Sequence, residues 1–155
     1  MLGAGINALT CIVKIACFPQ ECVKRITSCL IDLYRSKLYE YNRIVRRWGL
    51  ILKPVHIVIS KGKTYFYYGK YWYRLEKRGT RLKWIYVGKT KPLKEIPDPP
   101  INPLSIVSIS SSEGLMCLCI KSDVKDPHVV RTAVRELLQY LRAVADRYSV
   151  QCIGS

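Results

Sequence analysis

The side chains of this sequence best suited to binding a ligand lie between residues 63 and 83, where cations and aromatic rings alternate. They recur at every second position, the spacing that places side chains on one face of a β-strand. Such a surface can bind a polyanion, because cations contact phosphates and rings stack on bases at roughly 1 to 3 kcal/mol per base. The candidate nucleic-acid-binding residues of this stretch are Lys63, Tyr65, Tyr67, Lys70, Trp72, Arg74, Arg81 and Lys83.

Groups that could catalyse a reaction or hold a metal do not cluster in the sequence. Hydrolysis of nucleic acid usually needs grouped carboxylates or histidines. The acidic residues from Glu76 onward are instead scattered, and His56 and His128 stand far apart. The seven cysteines also show no metal-binding spacing. We therefore expect a protein that is not an enzyme, with no catalytic residue, no metal site and no cofactor.

The charge of the chain favours a polyanionic partner. Its 155 residues carry 26 Lys and Arg against 11 Asp and Glu, which gives a net charge of +15 and a pI near 9.7. This charge costs self-repulsion unless a polyanion offsets it. A hydrophobic content of 49% excludes a disordered or low-complexity chain. Nucleic acid is the expected partner, DNA favoured over RNA, and an anionic membrane surface ranks below it.

The cysteine count and the amide content bear on the compartment. Seven is an odd number, so at least one cysteine is unpaired within the monomer. We interpret the cysteines as small buried hydrophobic residues of a protein in a reducing cytoplasm. Only three Asn and three Gln occur, which is typical of a thermophilic source. A heat-tolerant cell could oxidise some of the thiols.

An apolar stretch over residues 4–18, interrupted by Lys14, opens the chain. It is shorter than the roughly 20 residues that a membrane-spanning helix needs, and it lacks the basic start of a signal peptide. We expect a helix packed in the core or in a homo-oligomer interface, with a membrane-surface anchor as the alternative. This segment supports a second hypothesis, in which the protein is a structural subunit of a virion or complex that assembles through residues 4–18.

A helix is predicted over residues 19–49. Pro19 suits its first turn, apolar residues follow at three- and four-residue spacing, and Gly49 ends it. Its last turns carry Arg43, Arg46 and Arg47. Such a cluster usually forms a solvated helix face. The functional alternative is contact with phosphates beside the sheet that comes next.

A basic, aromatic β-meander is predicted over residues 54–89, where the period changes to two. Glycine-containing dipeptides at 61–62, 69–70 and 78–79 would make three hairpins and therefore four antiparallel strands. The register would pair Ile59 with Thr64, Ile57 with Phe66, Tyr68 with Tyr71, Tyr73 with Trp84 and Leu75 with Leu82.

This register gives the sheet two different faces. The face expected to lie against the core carries Val55, Ile57, Ile59, Phe66, Tyr68, Tyr71, Tyr73, Leu75, Leu82, Trp84 and Tyr86. The opposite face carries the candidate binding residues, and Glu76 there is expected to pair with Arg81. Burial of Lys63, Arg74 and Lys83 without carboxylate partners would be prohibitive, so we expect this face to be exposed. The alternative is that a helix covers it.

Residues 65–89 resemble a known type of DNA-binding sheet. They contain Tyr71-Trp72-Tyr73-Arg74, a glycine turn, and then Lys83-Trp84-Ile85-Tyr86-Val87-Gly88-Lys89. This stretch resembles the three-stranded arm-site DNA-binding domains of tyrosine integrases, and it is similar to aromatic, basic sheets in small archaeal and viral DNA-binding proteins. The resemblance implies that the residues lying toward DNA are Tyr65, Trp72, Arg74, Arg81 and Lys83.

The remaining chain completes a single α+β domain over residues 1–155. Residues 90–103 are a proline-rich connector, which can be neither helix nor central strand. A second hairpin is predicted over about 105–121, with its turn at Glu113-Gly114. Asp126 and Pro127 would begin an amphipathic C-terminal helix over about 127–148. In this interpretation residues 104–155 supply a hairpin plus a helix, and the helix covers the apolar face of the meander.

Overall fold

The computed structural model describes residues 13–121 and 125–148, without the side chains of Ser112, Arg147 and Tyr148. The predicted α+β class is confirmed: within these residues two α-helices and one short 3-10 helix accompany eight strands, all paired antiparallel. The chain forms two compact units. We call residues 34–100 the central unit, and the described residues up to 33 and from 101 onward the terminal unit.

The terminal unit contains a three-stranded sheet. Its strands are β1 (Lys14–Pro19), β7 (Val107–Ser112) and β8 (Leu115–Ile120), in the order β1-β8-β7. The predicted second hairpin is therefore confirmed, and Glu113 and Gly114 both adopt the positive φ that its tight turn requires. The helix predicted over residues 4–18 is wrong from Lys14 onward, because this segment pairs with β8. Residues 4–12 lie outside the described residues.

Disulfides cross-link the terminal unit. Cys17 of β1 is bonded to Cys117 of β8, 100 residues away in sequence. Cys22 and Cys119 each take part in a disulfide as well. The prediction of reduced, purely hydrophobic cysteines is thus wrong for these four. It failed because pairing of β1 with β8 brings Cys17 directly opposite Cys117. Cys29 is a free, buried thiol, and burial, reinforced by the charge of Asp32, raises its pKa.

The two helices begin and end close to where the sequence predicted. Helix α1 (Gln20–Val45) runs into a 3-10 turn at Arg46–Trp48 and stops at Gly49, whose φ of 68° is a left-handed helix cap. Residues 20–33 of α1 belong to the terminal unit and residues 34–45 to the central unit. Helix α2 (Pro127–Tyr148) belongs to the terminal unit, and the Asp126 carboxylate accepts a hydrogen bond of 2.8 Å from the His128 N–H.

The meander predicted in the central unit is divided between two sheets. The strands are β2 (Leu50–Leu52), β3 (Val55–Ser60), β4 (Lys63–Tyr68), β5 (Trp72–Arg78) and β6 (Arg81–Gly88). One sheet has the order β2-β5-β6, and the other is the hairpin β3-β4. The predicted pairing of Tyr68 with Tyr71 is wrong, because β2, which the sequence analysis missed, occupies the edge of β5 where β4 was expected.

The two remaining hairpins differ in how well their register was predicted. In β3-β4 the pairs Ile59 with Thr64 and Ile57 with Phe66 are confirmed. In β5-β6 the turn is Gly79-Thr80 rather than Arg78-Gly79, so Leu75 lies opposite Trp84 instead of Leu82. This shift of two residues leaves every side chain on its predicted face.

The core of the central unit lies between α1 and the sheet β2-β5-β6. Trp72 is 2% exposed and meets the Tyr41 ring edge-on, with centroids 6.1 Å apart. Asn42 is buried, and its side-chain amide makes two hydrogen bonds with the backbone of Leu52, of 2.8 and 2.9 Å. These bonds satisfy the polar groups on the edge of β2 that does not face β5, as a further strand would.

The proline-rich connector is irregular, as predicted, and two contacts fix it to the central unit. The Tyr41 hydroxyl donates a hydrogen bond of 2.7 Å to the Pro97 carbonyl, and Ile96 is buried. Within the described part of the chain, neither helix has a stretch long and apolar enough to cross a membrane.

Candidate nucleic-acid interface

Trp72 is the clearest error among the predicted binding residues. The alternation of β5 placed it on the exposed face, but helix α1 covers this end of the strand, and the ring is 2% exposed. It therefore cannot stack on a base. Strand periodicity separates the two faces of a sheet, but it does not show which one a helix covers.

The predicted cations of the sheet are exposed, but they differ in whether a carboxylate already neutralises their charge. Lys63, Arg81 and Lys83 are open to solvent. Arg74 is also exposed, but its guanidinium contacts the Glu76 carboxylate at 2.9 Å, and Arg78 approaches the other oxygen of Glu76 at 3.5 Å. The expected Glu76–Arg81 pair is thus replaced by contacts along the same strand. Part of the charge that Arg74 could offer a phosphate is compensated.

On the hairpin β3-β4 the predicted rings are only partly available. Tyr65 is exposed, whereas Tyr67 is half-buried. The Lys70 ammonium lies 4.3 Å from the centroid of the Tyr67 ring and 5.6 Å from that of Tyr71, which are cation–π contacts. These residues therefore already interact with one another, and Tyr65 is the freest ring of this group.

The face predicted to be the core is open at many positions. Its exposed residues are Ile57, Ile59, Phe66, Leu82, Trp84 and Tyr86, and Ile59 is 76% exposed. The prediction that these side chains point into the interior is wrong. In the hairpin β3-β4 neither face is covered, since Tyr65 on one side and Phe66 on the other are both exposed.

Four rings form a cluster on this open face of the central unit. Tyr73 contacts Trp84 and Tyr86 edge-on, with centroids 5.8 and 5.7 Å apart, and Tyr86 lies 6.1 Å from Tyr71. The Lys53 ammonium is 5.5 Å from the Tyr73 centroid. Because Trp84 and Tyr86 are both exposed, the cluster presents π-faces to solvent next to a cation.

A groove of about 570 Å³ lies between α1 and the exposed Trp84 ring. Arg35, Tyr39, Arg43 and Arg46 follow one another at three- and four-residue spacing, which places them on one side of the helix. We call this cavity the basic groove, and the side chains that line it are Arg35, Tyr39, Asn42, Arg43, Arg46, Ile51, Lys53, Pro54, Val55 and Trp84.

The basic groove includes two of the three helix arginines that the sequence singled out. Arg43 and Arg46 line it, whereas Arg47 does not. The Nε of Arg47 donates a hydrogen bond of 3.2 Å to the Ile44 carbonyl, and its guanidinium lies 5.2 Å from the Trp48 centroid. Sequence reasoning missed Arg35 and Lys53 as binding residues. The helical spacing could have shown Arg35, but nothing near Lys53 in sequence indicates its place.

The charged side chains that line the basic groove are all cationic. No acidic residue lines it, and within the described residues no carboxylate lies within 4.0 Å of Arg35, Arg43, Arg46 or Lys53. The Nε of Arg35 is buried and has no hydrogen-bond partner. The Lys53 ammonium is held 3.2 Å from Nδ1 of His56. The groove can therefore accept an anion.

The central unit also carries most of the charge and rings of the sequence. Residues 34–100 contain 17 of the 26 Lys and Arg but only four of the 11 Asp and Glu. They also contain 13 of the 16 aromatic residues, including all three Trp. Within the described chain, no group of three or more His, Cys, Asp or Glu is placed to hold a metal ion.

Comparisons of this chain with protein-family models, with curated proteins and with solved structures find no match.

Proposed function

We propose that this protein binds nucleic acid through the central unit, with DNA favoured and with little sequence specificity. The observation that carries the proposal is the basic groove, where three arginines and a lysine meet an exposed Trp ring without any carboxylate. Phosphates supply the negative charge that these side chains lack, and bases supply rings that stack on Trp84.

Binding in this proposal is mainly electrostatic. The cations of the groove, together with the exposed Lys63, Arg81 and Lys83, contact phosphates and release counterions from the strand. Trp84 and Tyr86 replace Trp72 as the rings offered to bases, because they are exposed and Trp72 is not. The interface thus includes the face of the sheet that was expected to be buried.

Low sequence specificity follows from the side chains available. Bidentate reading of adenine needs a free Asn or Gln. Asn42 lines the groove, but its amide is bonded to the Leu52 backbone. Arg74, which could address guanine, is paired with Glu76. The interface is therefore suited to contacts with the nucleic-acid backbone and to stacking of bases on aromatic rings, rather than to hydrogen bonds with base edges.

The test is binding of labelled single-stranded and duplex DNA, with a matched RNA, over a range of salt concentrations. The logarithm of the affinity should fall with the logarithm of the salt concentration at a slope of roughly −3 to −6, from about that many phosphate contacts. The Arg46→Gln variant should flatten this slope by about one unit. Trp84→Ala should weaken single-strand binding by roughly 1 to 3 kcal/mol and leave the slope unchanged.

The matched control is Arg131→Gln, which removes one exposed cation from α2 in the terminal unit. It should leave both affinity and slope close to those of the unchanged protein. The proposal fails if no DNA or RNA binds at about 50 mM salt, where electrostatic binding is strong. It also fails if Arg131→Gln and Arg46→Gln reduce binding equally.

The alternative function is assembly as a subunit of a virion or complex. The predicted interface at residues 4–18 lies largely outside the described residues, but the exposed Ile57, Ile59 and Phe66 favour a partner surface. Light scattering on the full chain and on the Ile59→Lys variant tests this alternative. An oligomer that the variant abolishes, with no nucleic-acid binding by either protein, would favour assembly.

The proposed compartment is the cytoplasm of a heat-tolerant archaeal or virus-infected cell. Intracellular proteins of hyperthermophiles retain disulfides, which agrees with the bond between Cys17 and Cys117. The low content of Asn and Gln supports the same source. The resemblance of residues 65–89 to integrase arm-site domains remains a part of this proposal, and it extends from β4 to the end of β6.

A further inference from the structure

We propose that the basic groove holds the terminal phosphate monoester of a nucleic-acid strand, with the terminal base against Trp84. This inference rests on the proposed function and assigns the basic groove to a strand end rather than to the middle of a strand. Three features carry it: the number of cations, the unpartnered donor of Arg35, and the size of the cavity.

The charge of the groove exceeds what an internal phosphate would neutralise. Arg35, Arg43, Arg46 and Lys53 supply four cations, and no acidic side chain lines the same space. An internal phosphodiester brings one negative charge. A terminal monoester brings about 1.5 to 2 negative charges near neutral pH and three strong acceptor oxygens. The monoester is therefore the better match, both in charge and in the number of hydrogen bonds it can accept.

Arg35 has a hydrogen-bond donor without an acceptor. Its Nε is buried and has no hydrogen-bond partner, although the guanidinium belongs to a helix whose neighbouring Arg43 and Arg46 face the same groove. An unsatisfied buried donor costs free energy, and a guanidinium pairs with phosphate oxygens through short, charge-assisted bonds. Because this Nε is closed to solvent, the Arg35 side chain would have to move on binding for the Nε to reach a phosphate in the groove, and that bond would then satisfy the donor that the protein leaves unpaired.

The dimensions and the walls of the groove suit a single nucleotide. Its volume of about 570 Å³ lies within the range of small-ligand pockets, which is roughly 300 to 1,000 Å³. Ile51, Pro54 and Val55 form an apolar wall, and the exposed rings of Tyr39 and Trp84 offer surfaces for a base. One nucleotide at the end of a strand can enter such a groove without the rest of the strand having to do so.

The experiment compares one single-stranded oligonucleotide in three forms: with a 5′-phosphate, with a 3′-phosphate, and with hydroxyls at both ends. A mononucleotide is the fourth probe. We expect phosphorylation of one end to raise the affinity of the full-length protein about tenfold, since several charge-assisted bonds form only with the monoester. The Arg46→Gln variant should abolish most of this gain, and Arg35→Gln should do the same.

Arg81→Gln is the matched control, because it removes an exposed cation of the same unit that does not line the groove. It should weaken all three oligonucleotides by the same factor and preserve the tenfold gain. Arg35 is partly buried, so its variant is first checked by circular dichroism. If it does not fold, the exposed Arg46 decides the test.

The outcomes separate the inference from the proposed function. Equal affinity for the phosphorylated and hydroxyl strands overturns the assignment to strand ends and leaves nucleic-acid binding in place. Failure of every oligonucleotide to bind overturns both. Binding of the mononucleotide as tightly as the phosphorylated strand also overturns the inference, because the groove would then be a site for free nucleotides. A gain that survives Arg46→Gln places the terminal phosphate outside the groove and overturns it as well.

Discussion

The two units of this chain differ in what stabilises them and in what they expose. The terminal unit holds the disulfide between Cys17 and Cys117, and residues 34–100, the central unit, contain no cysteine. The charge is distributed the other way. Outside residues 34–100 the sequence has nine Lys and Arg against seven Asp and Glu, whereas the central unit has 17 against four.

The covalent cross-link between Cys17 and Cys117 thus lies in one unit, and most of the cations and rings that could bind a partner lie in the other. A dense positive charge and exposed rings destabilise a folded unit through repulsion and solvent contact. In the central unit these costs are offset without cross-links, by burial of Trp72 against α1 and by the amide of Asn42. The terminal unit is nearly balanced in charge, and it is the one with the long-range disulfide.

Removal of the Cys17–Cys117 disulfide should have the largest effect. The bond joins residues 100 positions apart, and the double variant Cys17→Ala, Cys117→Ala should lose about 2 to 5 kcal/mol of unfolding free energy. Because all three Trp lie in the central unit, their fluorescence reports on that unit alone. We expect the circular dichroism transition to move to lower temperature and the Trp fluorescence transition to move much less.

The control for this experiment is Cys29→Ala, which removes a free thiol and leaves the disulfides intact. It should shift the unfolding transition less than the double variant does. Equal shifts of circular dichroism and Trp fluorescence in the double variant would contradict the comparison, because the two units would then unfold as one.

A glycine of the central unit gives the next largest expected effect. Gly69 has a φ of 56°, and a Cβ at this position would collide with the Tyr34 hydroxyl and lie 3.1 Å from the Leu38 side chain. Tyr34 and Leu38 are buried, so neither can move away freely. Gly69→Ala should therefore cost about 2 to 4 kcal/mol, from backbone strain together with overpacking.

Gly79→Ala is the matched control, since Gly79 has a φ of 60° and nothing lies within 4 Å of its Cβ position. It should cost only the backbone strain, about 1 to 2 kcal/mol. Urea unfolding followed by Trp fluorescence measures both variants. Equal losses would mean that the Tyr34 contact contributes nothing.

Alkaline pH should have the smallest effect and should act on the central unit. Burial raises the pKa of Tyr34 from 10.0 to about 12, and burial followed by the charge of Asp98 raises the pKa of Tyr41 to about 12 as well. Both phenols ionise first in the unfolded chain, so their contribution to stability is complete below pH 10 and declines between pH 10 and 12. The loss at about pH 10.5 should stay below about 2 kcal/mol.

The measurement is the urea midpoint of Trp fluorescence between neutral pH and about pH 10.5. Tyr34→Phe removes one of the two phenols, so its stability should decline less steeply at alkaline pH than that of the unchanged protein. A decline of the same steepness in Tyr34→Phe would show that other groups cause it.

Local features of the fold could be read from the sequence. The turns at Lys61-Gly62 and Glu113-Gly114 adopt positive φ at both positions, and the glycine at the second position marks each turn in the sequence. Asp126 and Pro127 likewise mark the start of α2. These signals lie within a few residues of the structure they determine.

Features that depend on distant partners could not be predicted. Strand β1 exists because β8 pairs with it, and the three residues of β2 are a strand because β5 lies beside them. The error at Trp72 follows from helix α1, which covers that end of β5. The omission of Lys53 follows from β2, the strand that ends just before it. Arg43 and Arg46 could be named in advance, since a single helix places them, whereas their meeting with Trp84 depends on the packing of α1 against the sheet.

The amide of Asn42 has a further consequence, for self-association. An uncovered strand edge is a template on which another chain can add a strand, and this is a common route to aggregation. By bonding both polar groups of Leu52, Asn42 closes the β2 edge to such growth. The opposite border of the same sheet is β6, which begins with the cations Arg81 and Lys83. In the sheet β2-β5-β6, addition of a second copy is thereby opposed at one edge by an amide and at the other by like charges.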